Sequence, residues 1–186
     1  MFSGIPIDLP AMLAAREERA AQQDIWLKQY ACPILSFTLN IPGPVKTSPD
    51  LRRAFDTGLA ALENALESAG LSAIARDEIH APTGDEALLA IRGHAAAIKE
   101  IATKLEEDHP LGRLFDMDVL NADGTKLSRR VPRRCLLCAE QAQNCARSRR
   151  HTVAELTAEI ERLLIAYLGS NGAALRSLKT SQSSPV

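Results

Sequence analysis

The stretch His109–Gly124, "HPLGRLFDMDVLNADG", sets two aspartates one residue apart inside an apolar run. A half-buried strand alternates apolar and polar side chains with a period of two. On that reading Phe115, Met117 and Val119 share one face, while Leu114, Asp116 and Asp118 share the other. Two carboxylates side by side repel each other, so either water screens them or a cation joins them. Gly112 and Arg113 open the strand, and "NADG", 121–124, supplies the residues of a hairpin-type turn behind it.

Working outward, "HAAAIKEIATKLEEDHP", 94–110, reads as a helix ended by Pro110. Two strands precede it, 71–82 and 86–93, joined by the turn "PTGD". Earlier still is a helix over 48–70, with Ser48 as its N-cap, Pro49 at the first helical position and Gly70 as its stop. "PILSFTLNI", 33–41, reads as a strand, and the two prolines and glycine of "PGPVK", 42–46, make a loop.

The order strand, helix, strand, strand, helix, strand is the split βαβ pattern. It predicts an α+β class with a ferredoxin-like core over 33–130, both helices on one face of a four-stranded antiparallel sheet. The open face is left for the acids. Around that core the sequence predicts an N-terminal helical extension over 1–32, whose residues 11–30 read as an amphipathic helix. A Cys-rich basic loop and a C-terminal helix fill 131–170. That helix covers 152–169, with Thr152 and Glu155 as a capping box and Gly169 as its stop. The polar tail 171–186 reads as disordered.

Composition narrows the class. With 186 residues, 46% hydrophobic and 24% charged, the chain can bury a core without disulfides. No apolar run approaches the roughly 18 residues of a membrane span, and "MFSGIPIDLP" lacks the basic start of a signal peptide. A cytoplasmic protein with no membrane partner is the expectation. A net charge of −1 argues against a general nucleic-acid binder. Local asymmetry is stronger: residues 126–150 carry eight Arg and Lys against the single acid Glu140. Such a block suits phosphate or an acidic protein, with a solvated basic surface as the plain alternative.

Of the four cysteines, Cys32 stands apart and three crowd together as Cys135-x2-Cys138-x6-Cys145-x5-His151. Three thiolates and an imidazole suit tetrahedral Zn²⁺; reduced buried thiols and a redox role remain open on spacing alone. No G-x-S-x-G, Walker A or dinucleotide fingerprint is present, which disfavours hydrolase, P-loop and dehydrogenase readings.

Acids at i and i+2 on a strand point the same way, roughly 7 Å apart. Such a pair can hold Mg²⁺ against a polyphosphate, although D-x-D by itself is a weak signal. Its setting after the second helix resembles the pterin pyrophosphokinases, where two strand acids bind Mg²⁺ for ATP. A closer resemblance spans roughly 10–165. "AREERAAQQDIWLK", "SFTLNIPGPVK", "HPLGRLFDMDVL", "LSRR" and "PRRCLLC…CAR" stand in the order of the apo-citrate lyase phosphoribosyl-dephospho-CoA transferases.

That resemblance implies a holo-acyl-carrier-protein synthase. Such an enzyme takes triphosphoribosyl-dephospho-CoA, releases diphosphate, and leaves the prosthetic group on a serine of the citrate lyase acyl-carrier (gamma) subunit. Asp116 and Asp118 would then bind Mg²⁺ as the catalytic pair. Arg113, Lys46, Arg129, Arg130, Arg133 and Arg134 are the candidate phosphate ligands, the last four suiting an acidic carrier equally. His109 reads as a helix-end cap or an acid–base group. Arg16, Glu17, Glu18 and Arg19 match the family pattern or form a salt-bridged helix face. Glu86 is the first candidate for a third carboxylate. Two departures stand out: Gln22 replaces an arginine, and only Val131 separates Arg130 from Pro132. The rival functions are a carrier-binding adaptor without catalysis and another Mg²⁺-dependent nucleotide enzyme such as a pyrophosphokinase.

Overall fold

Strands β1 (Ile34–Leu39), β2 (Ala73–Ala81), β3 (Gly84–Ile91) and β4 (Phe115–Leu120) pair antiparallel in the order β2-β3-β1-β4. The computed structural model describes residues 4–180. Helices α1 (Leu9–Tyr30), α2 (Pro49–Ser68), α3 (Ala95–Asp108), α4 (Ala142–Ser148) and α5 (Val153–Thr180) complete the elements among them. The class is mixed α+β, as the sequence implies. Ser48 caps α2 by accepting from the Leu51 N–H, and Thr152 and Glu155 cap α5 reciprocally.

The period-two pattern decides which face goes where. Leu35, Phe37, Leu89, Phe115, Met117 and Val119 point into the main core against α2, α3 and α5. Alternate residues Ile34, Ala90 and Leu120 meet Leu27, Trp26 and Tyr30 of α1 on the other face. Close approach of α2 to the sheet requires Gly58. A Cβ there would come within 2.8 Å of both Phe37 and Phe115 ring atoms. Gly112 is equally constrained, because a Cβ would collide with the carbonyls of Leu105 and Glu106 at the end of α3.

Four expectations need correction. Leu114 does not share the acid face of β4. It closes the 3₁₀ turn Gly112–Leu114 and is fully buried in the main core. The N-terminal helix is not amphipathic along its length: α1 buries only Leu27, and Leu9, Leu13 and Ile25 stay exposed. Helix α4 lies where a loop was expected. Finally, α5 passes through Gly169 to Thr180. Gly169 and Gly172 cost about 1 kcal/mol each in a helix, too little to stop a run that continues "AALRSLK". Of the tail expected to be disordered, 171–180 are thus helical, and 181–186 lie outside the described residues.

His109 is a structural cap. Its Nδ1 accepts from the Leu111 N–H at 3.0 Å, and its ring packs against Phe115 and Tyr167. Burial pushes its imidazole below the ordinary value, so the neutral form is the one the fold stabilises. A depressed histidine contributes stability that is full above its unfolded value, about 6.5, and is lost as pH falls through the folded value. Urea midpoints should therefore drop between pH 7 and pH 5, and His109→Gln should flatten that part of the profile.

Candidate functional site

The free edge of β4 builds the site. Residues 121–124 turn as expected: the Gly124 N–H donates to the Asn121 carbonyl, and Gly124 takes φ +84°. The chain then runs back beside β4, where the Leu127 N–H donates to the Val119 carbonyl. Beyond that bond the edge is satisfied by side chains. Lys99 Nζ donates to the Met117 carbonyl at 2.8 Å, and the Met117 N–H donates to Glu106 Oε1 at 2.7 Å. Arg133 donates to the Phe115 carbonyl. Edge strands expose such groups, and here α3 and the basic loop cover them.

Glu106 anchors this cover. It is only 3% exposed, and it pairs with Arg129 at 2.9 Å and Arg133 at 3.0 Å. Lys99, 8% exposed, is pushed below its ordinary value by burial, against the pull of Glu106 and the aspartates. The sequence held a signal for these two. Lys99 and Glu106 sit seven positions apart on the buried stripe of α3 with Ala102, where aliphatics belong.

Asp116 and Asp118 line a cleft of about 650 Å³ together with Lys99, Glu106, Lys126, Arg129 and Arg133. Asp118 pairs with Lys126 at 2.5 Å, whereas Asp116 is exposed and has no ion pair among the described residues. Strand register extends the acidic row. Asp116 lies opposite Thr38, which lies opposite Glu86 on β3, and Asp118 lies opposite Ser36. Glu86 thus shares the acid face two strands away. Arg19 of α1 holds it through two hydrogen bonds, Nε to Oε2 at 2.8 Å being one. That hydrogen bond above all, with Asp116 and Asp118 adding a smaller field, raises the Arg19 guanidinium above its ordinary value.

The remaining candidates divide. Arg129 and Arg133 reach the cleft but spend their guanidinium groups on Glu106 and the β4 edge. Arg130 is 93% exposed beside Glu100 and lines a neighbouring groove. Lys46 donates to the Ile41 carbonyl at 2.5 Å within its own loop and does not line the cleft. Arg113 and Arg134 line a second cleft, where Arg113 donates to the Arg134 carbonyl.

Cys135, Cys138, Cys145 and His151 converge, their ligand atoms all within 4.8 Å of one another. Cys138 Sγ lies 3.5 Å from Cys145 Sγ and 3.3 Å from His151 Nε2. Burial first, then hydrogen bonding to Cys138 and Cys135, push the Cys145 thiol up to about 12. Three thiolates therefore do not coexist here without a cation, and the cluster can hold a metal ion. Helix α4, which the sequence did not reveal, is the element that delivers Cys145.

Removing the charge at Glu106 leaves two arginines and a lysine packed together. Glu106→Gln should destabilise the fold by about 3 kcal/mol, read from urea unfolding. Replacing exposed Glu107 the same way should change it by less than about 0.5 kcal/mol.

A family model described as apo-citrate lyase phosphoribosyl-dephospho-CoA transferase matches residues 7–167. Relatives carrying that name include one from Citrobacter koseri, 41% identical over 162 residues, covering 85% of this chain and 88% of the relative. Others from Escherichia coli and Shigella boydii are 40% identical with the same coverage.

Proposed function

Because this chain belongs to the apo-citrate lyase phosphoribosyl-dephospho-CoA transferases, we propose that the cleft beneath Asp116 and Asp118 is where its polyphosphate substrate reacts. The enzyme transfers the phosphoribosyl-dephospho-CoA prosthetic group to apo-citrate lyase. The donor is triphosphoribosyl-dephospho-CoA, the acceptor is a serine of the acyl-carrier subunit, and the reaction runs in the cytoplasm. The serine oxygen attacks the phosphorus next to the ribose, the bond to diphosphate breaks, and the serine proton is released. A phosphodiester remains. The order β2-β3-β1-β4 supports a ferredoxin-like core; α1 covers Ile34, Ala90 and Leu120 on the face away from α2 and α3, and the Asp116 and Asp118 part of that face is where this chemistry runs.

One observation carries the reading: two carboxylates on one strand face line a cleft that Lys99, Lys126, Arg129 and Arg133 also line. All their donors are oxygens, which suits Mg²⁺. Bound there by Asp116 and Asp118, Mg²⁺ would neutralise charge on the polyphosphate. Lys126, paired with Asp118, adds a cation that can turn to the departing diphosphate. Arg129 and Arg133 hold the cleft wall through Glu106 and keep its potential positive. A neutral serine is a poor nucleophile, so orientation and charge neutralisation provide most of the acceleration.

The Cys135, Cys138, Cys145 and His151 cluster holds structural Zn²⁺. With Zn–S near 2.3 Å, tetrahedral ligands lie roughly 3.7 Å apart, and the 3.5 Å sulfur separation fits that edge.

The direct test incubates the apo-carrier with enzyme, Mg²⁺ and precursor, then weighs it. A mass gain equal to the phosphodiester-linked group is expected, and an unmodified carrier would refute the transfer. Asp116→Asn and Asp118→Asn should each lower kcat roughly 10³-fold while leaving carrier binding intact. Metal analysis of protein purified without chelators should find one zinc per chain, lost when Cys135 and Cys138 are both replaced by serine.

A further inference from the structure

A second cleft, again of about 650 Å³, shares Asn40, Arg133, Ala142 and Ala146 with the acid-lined one. Its charge is of one sign. Arg113, Arg133, Arg134 and Arg149 line it, and no carboxylate does among the described residues. Arg134 and Arg149 are exposed and carry no ion pair among the described residues. Burial, then the neighbouring Arg133 and Arg129, push the Arg113 guanidinium below its ordinary value. The opposite wall is apolar, formed by Leu114, Leu136 and the Leu156 and Ile160 face of α5. Cys135, Cys145 and His151 frame the same space. An anionic group attached to an apolar arm is the ligand such a surface recognises.

We infer that this arginine-lined cleft binds the diphosphate and pantetheine arm of the dephospho-CoA moiety, while the acid-lined cleft takes the triphosphate. This rests on the proposed function and extends it. The donor has two polyanionic ends, and the two clefts meet at Arg133, so one molecule spans both. The ends are received differently: the triphosphate needs a cation between itself and two aspartates, whereas the diphosphate of the CoA arm meets guanidinium groups directly. The arginines select donors that carry the nucleotide arm. Loss of metal from the Cys/His cluster would weaken donor binding as well as stability, because the cluster forms one wall.

Dephospho-CoA alone is the probe. Isothermal titration should show binding to the unmutated enzyme and about tenfold or greater weakening in the double variant Arg134→Gln, Arg149→Gln. In transfer assays the same variant should raise KM for the precursor by a similar factor, with the effect on kcat much smaller. Asp118→Asn should keep its affinity for dephospho-CoA. Thermal unfolding of the double variant checks that it folds. Absence of dephospho-CoA binding to the unmutated enzyme, or unchanged affinity in the double variant, would overturn the assignment. A rise in KM for the carrier instead would make the cleft a protein-docking surface. An enzyme that binds dephospho-CoA through these arginines yet never modifies the carrier would refute the proposed function and leave the cleft assignment standing.

Discussion

Everything around the candidate site depends on how the free edge of β4 is satisfied. An edge strand carries backbone groups that need partners, and among the described residues no fifth strand provides them. Glu106 takes the Met117 N–H, Lys99 takes its carbonyl, and Arg133 takes the carbonyl of Phe115. The buried glutamate then requires cations, which Arg129 and Arg133 supply. That chain of requirements pins the basic loop beside β4. Pinned there, it surrounds the two aspartates with positive charge and forms the wall between the two clefts.

The same constraint explains why the acids tolerate their proximity. Strand geometry forces both side chains to one face, and the alternating apolar residues Phe115, Met117 and Val119 are held in the main core by Phe37, α2 and α3. Slipping the register by one residue would bury both carboxylates and expose Phe115, Met117 and Val119, a far larger loss. The carboxylates are thus held facing the cleft by hydrophobic burial on the opposite face. Their repulsion is relieved by Lys126 on one side and by the solvent-facing position of Asp116 on the other.

Much of this was legible in the sequence. The alternation around Asp116 and Asp118, the caps at Ser48 and Thr152, and the turns at Gly70 and Gly124 each carry a local physical signal, and the strand order followed from them. The Cys135, Cys138, Cys145 and His151 grouping was visible as spacing, although α4, which brings Cys145 in, was not. What escaped was tertiary. Arg129 and Arg133 read as free phosphate ligands because their partner Glu106 belongs to a helix earlier in the chain. Lys46 read as a phosphate ligand because nothing local shows it folding onto the Ile41 carbonyl. The charges of Lys99 and Glu106 on the buried stripe of α3 were the clue to both the loop and the edge, and period counting alone treats such residues as interruptions.

The central claim is that a divalent cation sits between these two aspartates when a polyphosphate is bound. Electron paramagnetic resonance of Mn²⁺ titrated into the enzyme with the precursor measures this without relying on turnover. Occupancy by Asp116 and Asp118 requires the enzyme to quench the free Mn²⁺ signal beyond what the precursor alone removes, and that added quenching to vanish when both residues are asparagine. A signal quenched equally by the unmutated and doubly substituted enzymes would contradict the account.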